Sequence, residues 1–334
     1  MAGWSLNEGE LIEENSIEDD EYWRLFNCFF SNSSWKRTAY KFGLVKSILD
    51  NLFNTEQIGN RFFISYDDIF VRFTENYWNL IVKDNLKLMR KGSFSNTSKI
   101  ETILLDHKTE SPILEKLEFS DISTPEKEAI IKEVKKACKR NVFGALYEDF
   151  EGKLYSFSLK GKGIHLSDGS YRFLFKYKPE IEIMNYYYWA KFLEQINDSA
   201  KVHILSKLEL STPKRNNLSI YKDLLMELDG HKCFYCGKEL KETVHVDHFI
   251  PWSFIHDDKI WNFVLSCPNC NSKKNNKLPS TVYIEKIKDR NVIISQFETT
   301  KKDFVSYRPD LIEDMWTYAR KSGYKEWIPK KITH

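Results

Sequence analysis

Large apolar residues return at helical spacing along the first part of the chain. Tyr22-Trp23-Arg24-Leu25-Phe26 with Phe29 and Phe30 has this spacing, and the segments from Trp35 to Phe53 and from Tyr66 to Leu86 continue it. Thr124-Pro125-Glu126 reads as a helix start for a run reaching Tyr147, because proline at the first helical position gives up an N–H that has no partner there. Leu154 to Leu159 and Ile164 to Tyr177 predict a hairpin turning at Asp168-Gly169, and Pro179-Glu180 opens a helix through Tyr186, Tyr187, Tyr188 and Trp189. Gly92 to Ser98 and Asp106 to Pro112 are polar and predict surface loops.

The pattern changes towards the C-terminus. Thr243 to Ile250 alternates as a strand and breaks at Pro251; after a loop through Trp252 to Trp261, Asn262 to Ser266 reads as a return strand. From Cys267 a short basic helix opens and runs out before Leu278-Pro279, and Pro279 to Lys288 and Pro309 to Tyr324 have helical patterns expected to pack back on this core. The expected fold is α+β: a mostly helical N-terminal module with a small hairpin, followed by a strand–loop–strand–helix domain. The expected division is an acidic, poorly ordered tail over 1–21, a helical module over 22–197, and a C-terminal domain over 198–334 with its core at 231–280.

Composition adds little at the scale of the whole chain. Fifty Lys and Arg against 48 Asp and Glu leave a net charge of +2 over 334 residues, so there is no global basic footprint. Locally, Glu8, Glu10, Glu13, Glu14, Glu18, Asp19, Asp20 and Glu21 form an acidic run that reads as a solvated tail. The opening MAGWSLNEGE is not an apolar leader and no long apolar run occurs, so a cytoplasmic protein without a membrane anchor is expected. No internal repeat, phosphate-binding loop or dinucleotide fingerprint is present. The dense aromatics of the N-terminal module are expected to build a core and not a base-stacking platform.

The most specific chemistry lies in four cysteines. Cys233-x2-Cys236 and Cys267-x2-Cys270 can each turn two thiolates towards one ion, and four thiolates in tetrahedral array are a structural Zn2+ site. Two disulfides are the alternative, disfavoured in a reducing compartment. Cys28 and Cys138 stand alone and read as idle thiols.

Between and after the knuckles stand Asp247, His248 and Asn262, with Asn271 directly after the last cysteine. His248, thirteen residues, Asn262, eight residues and Asn271 form a pattern that resembles the HNH endonucleases, a family with a ββα-metal core, over about residues 231–280. The resemblance implies that His248, Asp247, Asn262 and Asn271 form the catalytic set, with Asn262 holding the loop between the strands through backbone hydrogen bonds and not touching metal. It also implies cleavage of DNA to 5'-phosphate and 3'-hydroxyl ends, and a restriction or anti-phage role in a prokaryote.

The same roles follow from the chemistry of phosphodiester hydrolysis, which needs a base for water and a cation for the phosphoryl and leaving oxygens. His248 suits the first, since imidazole takes a proton near neutral pH. The Asp247 carboxylate and the Asn271 carbonyl suit a hard ion, Mg2+ or Mn2+. Strand alternation sends Asp247 and His248 to opposite faces and makes His245 a rival to His248. Lys273, Lys274 and Lys277 on the basic helix, with Lys214, Arg215 and Lys222 before the first knuckle, are candidates to hold phosphates of double-stranded DNA without reading its sequence. One such site cuts one strand at a time, so a homodimer or two visits would be needed for both. The N-terminal module could carry a regulatory protein partner. A non-catalytic zinc module for nucleic-acid binding or protein assembly, and an RNA-directed nuclease, are the competing readings.

Overall fold

The computed structural model describes residues 5–12, 17–31, 36–92, 96–197, 204–210, 218–241 and 243–329. The chain divides into two units, Met1–Thr212 and Pro213–His334. Among the described residues no helix is long and apolar enough to cross a membrane.

The first unit sets helices around a five-stranded antiparallel sheet. In chain order its elements are β1 (Glu8–Gly9), α1 (Asp19–Phe30), α2 (Tyr40–Asp50), β2 (Glu56–Ile58), β3 (Arg61–Ser65), α3 (Tyr66–Trp78), α4 (Lys99–Glu110), α5 (Thr124–Asp149), β4 (Tyr155–Ser158), β5 (Gly163–Ser167), α6 (Asp168–Lys176), α7 (Lys178–Ile196) and α8 (Ile204–Leu210). The sheet order is β1-β4-β5-β3-β2. The apolar stripe of α1 is buried at Tyr22, Leu25, Phe26, Phe29 and Phe30, where Phe26 and Phe29 meet the Phe150 ring at 4.7 and 5.5 Å. The helices α2 and α3 approach over Gly43, where any side chain would run into the Tyr77 ring, and the Tyr77 hydroxyl donates to the Ala39 carbonyl at 2.8 Å. The Cys138 thiol is buried in α5, and burial pushes it up to about 12, so it is an inert core group.

Several elements differ from those the sequence predicts. The hairpin turns between β4 and β5, where the Gly161 N–H donates to the Ser158 carbonyl at 2.9 Å. Asp168-Gly169 instead opens α6, because the Ser167 hydroxyl accepts from the Ser170 N–H at 3.0 Å and caps it. Asp106 to Glu110 is not loop but the end of α4, a helix fixed by a reciprocal capping box between Ser98 and Glu101.

Part of the acidic stretch expected to be a solvated tail is built into the fold. Glu8–Gly9 pairs with Phe157–Ser158, Asp19 accepts from Lys176 at 2.5 Å and from the Tyr177 hydroxyl at 3.0 Å, and Glu21 accepts from Arg24 and Lys153. Those bonds, Arg24 first and Lys153 second, hold the Glu21 carboxyl down to about 2. Glu13 and Glu14 lie outside the described residues. The helix α8, assigned from sequence to the C-terminal domain, belongs to the first unit, with Ile204 and Leu208 buried and Lys207 paired to Asp84 at 2.7 Å.

The second unit comprises α9 (Ser219–Asp229), β6 (His245–His248), α10 (Trp252–Ile255), β7 (Phe263–Ser266), α11 (Pro268–Lys274), β8 (Leu278–Pro279), α12 (Ile284–Ile294), α13 (Asp310–Lys321) and β9 (Glu326–Trp327). The strands β6 and β7 pair antiparallel from His245 against Ser266 to His248 against Phe263, and β8 pairs parallel with β9. Pro279, expected to open a helix, lies in β8; the helix that follows begins at Ile284. From α12, the buried Arg290 guanidinium donates to the Phe263 carbonyl at 2.7 Å and the Asn291 amide to the Trp261 carbonyl at 2.8 Å, which ties α12 to the entry of β7.

One buried ionic cluster joins the helices of the first unit. Lys46 on α2 is fully buried, forms an ion pair with Asp50, and lies 2.9 Å from Glu182 on α7, which also pairs with Lys178 at 3.5 Å. Burial works against the ammonium, yet the charges of Asp50 and Glu182 outweigh it and hold the Lys46 pKa well above its ordinary value. Removing one member leaves the remaining buried charges without compensation. Lys46→Ala is expected to destabilise the first unit by about 3–5 kcal/mol, measured as a shift of its urea midpoint, with Lys46→Ala/Asp50→Ala/Glu182→Ala costing less than the sum of the single changes.

Candidate functional site

Each cysteine knuckle sits where the backbone turns tightly. After Cys233 the chain reverses through Phe234-Tyr235-Cys236, with the Gly237 N–H bonded to the Cys233 carbonyl at 2.9 Å and Gly237 at φ 71°, a conformation open to glycine. Cys267 caps the N-terminus of α11, and Pro268 begins its first turn, which delivers Cys270 one turn later. The four sulfurs of Cys233, Cys236, Cys267 and Cys270 lie within 4.8 Å of one another, and those of Cys236 and Cys267 are 3.8 Å apart. Thiolates bound tetrahedrally at Zn–S distances of about 2.3 Å would stand about 3.8 Å apart, so the cluster fits a zinc ion. Burial opposes ionisation of Cys233, but backbone N–H groups of Cys267 and Cys236 pull its thiol down, whereas burial pushes the Cys236 and Cys270 thiols up.

A cavity of about 390 Å³ opens between β6 and α11. Asp247, His248, Trp252 and Asn271 line it, so three of the four proposed catalytic residues reach one space. The expected conflict of faces is avoided because His248 is the last residue of β6, where the chain leaves the strand through Phe249 and Ile250. His245, at the other end of β6, is not among the lining residues.

Asn262 is fully buried and does not line the cavity. Its Oδ1 accepts from the Ile250 N–H at 2.8 Å and its Nδ2 donates to the Ile250 carbonyl at 2.9 Å, while its own carbonyl takes the Phe249 N–H at 2.7 Å. These three bonds fix the chain directly after His248.

Three further side chains hold the site, and the sequence pattern did not single out their roles. His248 Nε2 lies 2.8 Å from Asp258 Oδ1, and both side chains are nearly buried. A carboxylate can only accept, so Nε2 carries the proton and Nδ1 the lone pair in neutral imidazole. Asp258 reaches this position because α10 ends at His256 in the left-handed region (φ 55°), after which Asp257 Oδ1 accepts from the Asp258 N–H at 2.9 Å. The Tyr235 hydroxyl donates to Asp247 Oδ2 at 2.5 Å. Burial first, and the Asp247 charge second, hold this phenol well above its ordinary pKa, so it remains a donor.

Lys274 corrects an expectation. Predicted as a phosphate contact, it is fully buried: its ammonium lies 3.1 Å from Asp247 Oδ2, 3.3 Å from Asp247 Oδ1, and donates to the His248 carbonyl at 2.7 Å. On the seven-residue helix α11, Lys274 faces inward while Lys273 is exposed; Lys277, just beyond, is exposed as well, with its ammonium on the Lys273 carbonyl at 3.1 Å. Lys222 is half-buried on α9, and Lys214 and Arg215 lie outside the described residues.

Because the sulfur cluster joins the two ends of this segment, Cys236→Ser is expected to lower bound zinc from about one per chain to near zero, read by metal analysis, and to abolish the thermal transition of the second unit while leaving that of the first. Lys274→Met, which strips both Asp247 and the His248 carbonyl of a buried partner, is expected to cost about 3–5 kcal/mol in the second unit, read by chemical denaturation.

No curated protein and no solved structure matches the chain. A family model does: residues 233–280, the segment that holds all four cysteines, Asp247, His248, Asp258, Asn262, Asn271 and Lys274, match the HNH endonuclease family, the one that the His248–Asn262–Asn271 spacing resembles.

Proposed function

We propose that the second unit is a metal-dependent nuclease that hydrolyses phosphodiester bonds of DNA, with His248 as general base. The observation that carries this reading is the single cavity lined by Asp247, His248 and Asn271, with His248 anchored through Nε2 on Asp258. Held this way, the imidazole is left with Nδ1 as the atom that takes a proton from water, and the Asp258 carboxylate stabilises the imidazolium that results. Asn262 keeps the chain after His248 rigid, so the ring does not need to be reorganised when substrate enters.

The Asp247 carboxylate and the Asn271 side-chain carbonyl are hard oxygen donors on this cavity, and a carboxylate has lone pairs beyond those used by Tyr235 and Lys274, so the pair fits Mg2+ or Mn2+. Such an ion, when bound, neutralises charge on the phosphoryl oxygens and on the leaving alkoxide. Tyr235 and Lys274 fix the direction of the Asp247 carboxylate from the side of the protein. Lys273 and Lys277, exposed on and just after α11, could contact flanking phosphates. The separate first unit suits a recognition or control role, in keeping with restriction or anti-phage defence in a prokaryotic cytoplasm.

A second reading has one observation in its favour. Asp247 is already satisfied by a phenol and an ammonium, as it would be in a zinc-stapled binding module without a catalytic ion. Nicking of supercoiled plasmid separates the two. Metal-dependent nicking by the purified protein, lost on chelation and reduced by about 100-fold or more in His248→Ala, is the expected result; folded, zinc-loaded protein that binds DNA and never nicks would sink the nuclease reading. Asp258→Ala is expected to lower the turnover rate by about tenfold or more at unchanged KM, with Asp258→Asn, which keeps an oxygen for Nε2–H, recovering part of it. An equal rise in KM would instead assign Asp258 to substrate binding.

A further inference from the structure

The first unit carries a groove of about 790 Å³ along α5, remote in sequence from every residue discussed above as catalytic. Five cations of this one helix border it: Lys132, Lys135, Lys136, Lys139 and Arg140. Asp67 and Glu128 are the acidic residues that line it, so positive charge is in excess. Its floor is apolar, formed by Val71, Ile131 and Leu159.

The five cations divide into two sets. Lys135 donates to Asp67 Oδ1 at 2.5 Å, and Lys139 donates to the Leu159 carbonyl at 2.8 Å while resting 3.9 Å from the centre of the Tyr66 ring. These two pin the rim to α3 and to the end of β4. Burial first, and the neighbouring Lys135 charge second, lower the Lys139 pKa, while the Asp67 charge works the other way. Lys132, Lys136 and Arg140 are exposed and make no hydrogen bond or ion pair among the described residues. They recur every fourth residue and so form one row on the helix, spanning about 12 Å at the rise of an α-helix.

We propose that this groove binds the phosphodiester backbone of nucleic acid, and that the first unit thereby holds the DNA on which the second unit acts. The row of Lys132, Lys136 and Arg140 runs along about four successive phosphates of one strand, given a spacing of about 3.4 Å per phosphate along the duplex axis. The apolar floor between the cations suits the edges of the sugars. That the polyanion is DNA and not an acidic protein rests on the nuclease reading of the second unit.

The test uses the full chain in a His248→Ala background, so that bound DNA is not cut, and follows a fluorescent duplex by anisotropy over a salt series. Lys132→Glu/Lys136→Glu/Arg140→Glu is expected to weaken binding at least about tenfold and to flatten the slope of log K against log salt by about 2 to 3. The neutral variant Lys132→Gln/Lys136→Gln/Arg140→Gln should fall between, with the thermal transition of the first unit unchanged in both because all three side chains are exposed. Unchanged affinity and slope, or no affinity of the parent protein for DNA, would overturn the proposal. So would loss of binding to poly-glutamate with DNA binding intact, which would assign the groove to an acidic protein. Nicking by the protein with His248 in place reports separately on the second unit: groove-dependent binding without nicking sinks the nuclease reading alone, whereas nicking with an unaltered salt slope in the charge-reversed variant sinks the groove alone.

Discussion

The meeting of the Cys233, Cys236, Cys267 and Cys270 sulfurs within 4.8 Å fixes the distance between a tight turn and the first turn of α11. Everything in the cavity depends on that spacing. The turn carries Tyr235, which holds one oxygen of Asp247 from above the strand, and α11 carries Lys274, which holds the carboxylate from the helix side and also binds the His248 carbonyl. A two-stranded sheet this short has almost no independent stability. Its geometry is imposed by groups outside it: the sulfur cluster at one end, the Asn262–Ile250 exchange at the other, and Arg290 and Asn291 on the carbonyls that lead into β7.

The readability of the fold followed the strength of local signals. The start of α5 could be read from Thr124-Pro125, and α1 from the helical spacing of the run Tyr22 to Phe26 with Phe29 and Phe30. The helix α4 could not, since Ile100 and Leu104 are its only buried apolar residues and the rest of it looks like loop. Its stability comes from the Ser98–Glu101 box, a signal of two residues. The hairpin was placed with its turn too late because Asp168-Gly169 is a strong turn dipeptide, and only the Ser167 cap reveals that the same pair begins a helix. The outer strands β1 and β2 are too short to show any alternation.

In the site, spacing along the chain located the residues that line the cavity but not those that hold them. His248, Asn262 and Asn271 stand at intervals that can be read directly. Asp258, Tyr235 and Lys274 act through contacts whose partners lie ten, twelve and 27 residues away in sequence. Nothing local distinguishes Lys274 from Lys273, although one is fully buried on a carboxylate and the other faces solvent. A doublet of lysines on a one-face helix is ambiguous until the partner carboxylate is known.

The parallel pairing of β8 with β9 gives the second unit an order of completion. Glu326–Trp327 is the last described strand, and Trp327 lies 5.2 Å, ring to ring, from Tyr235, the residue whose hydroxyl orients Asp247. During synthesis on the ribosome, the cysteines, His248 and Asn271 all emerge before that strand does. Tyr235 and Lys274, which hold Asp247, also precede β9 in the chain; what β9 adds is the Trp327 ring against that of Tyr235, so a product that stops short of it would carry the bonded site without this packing.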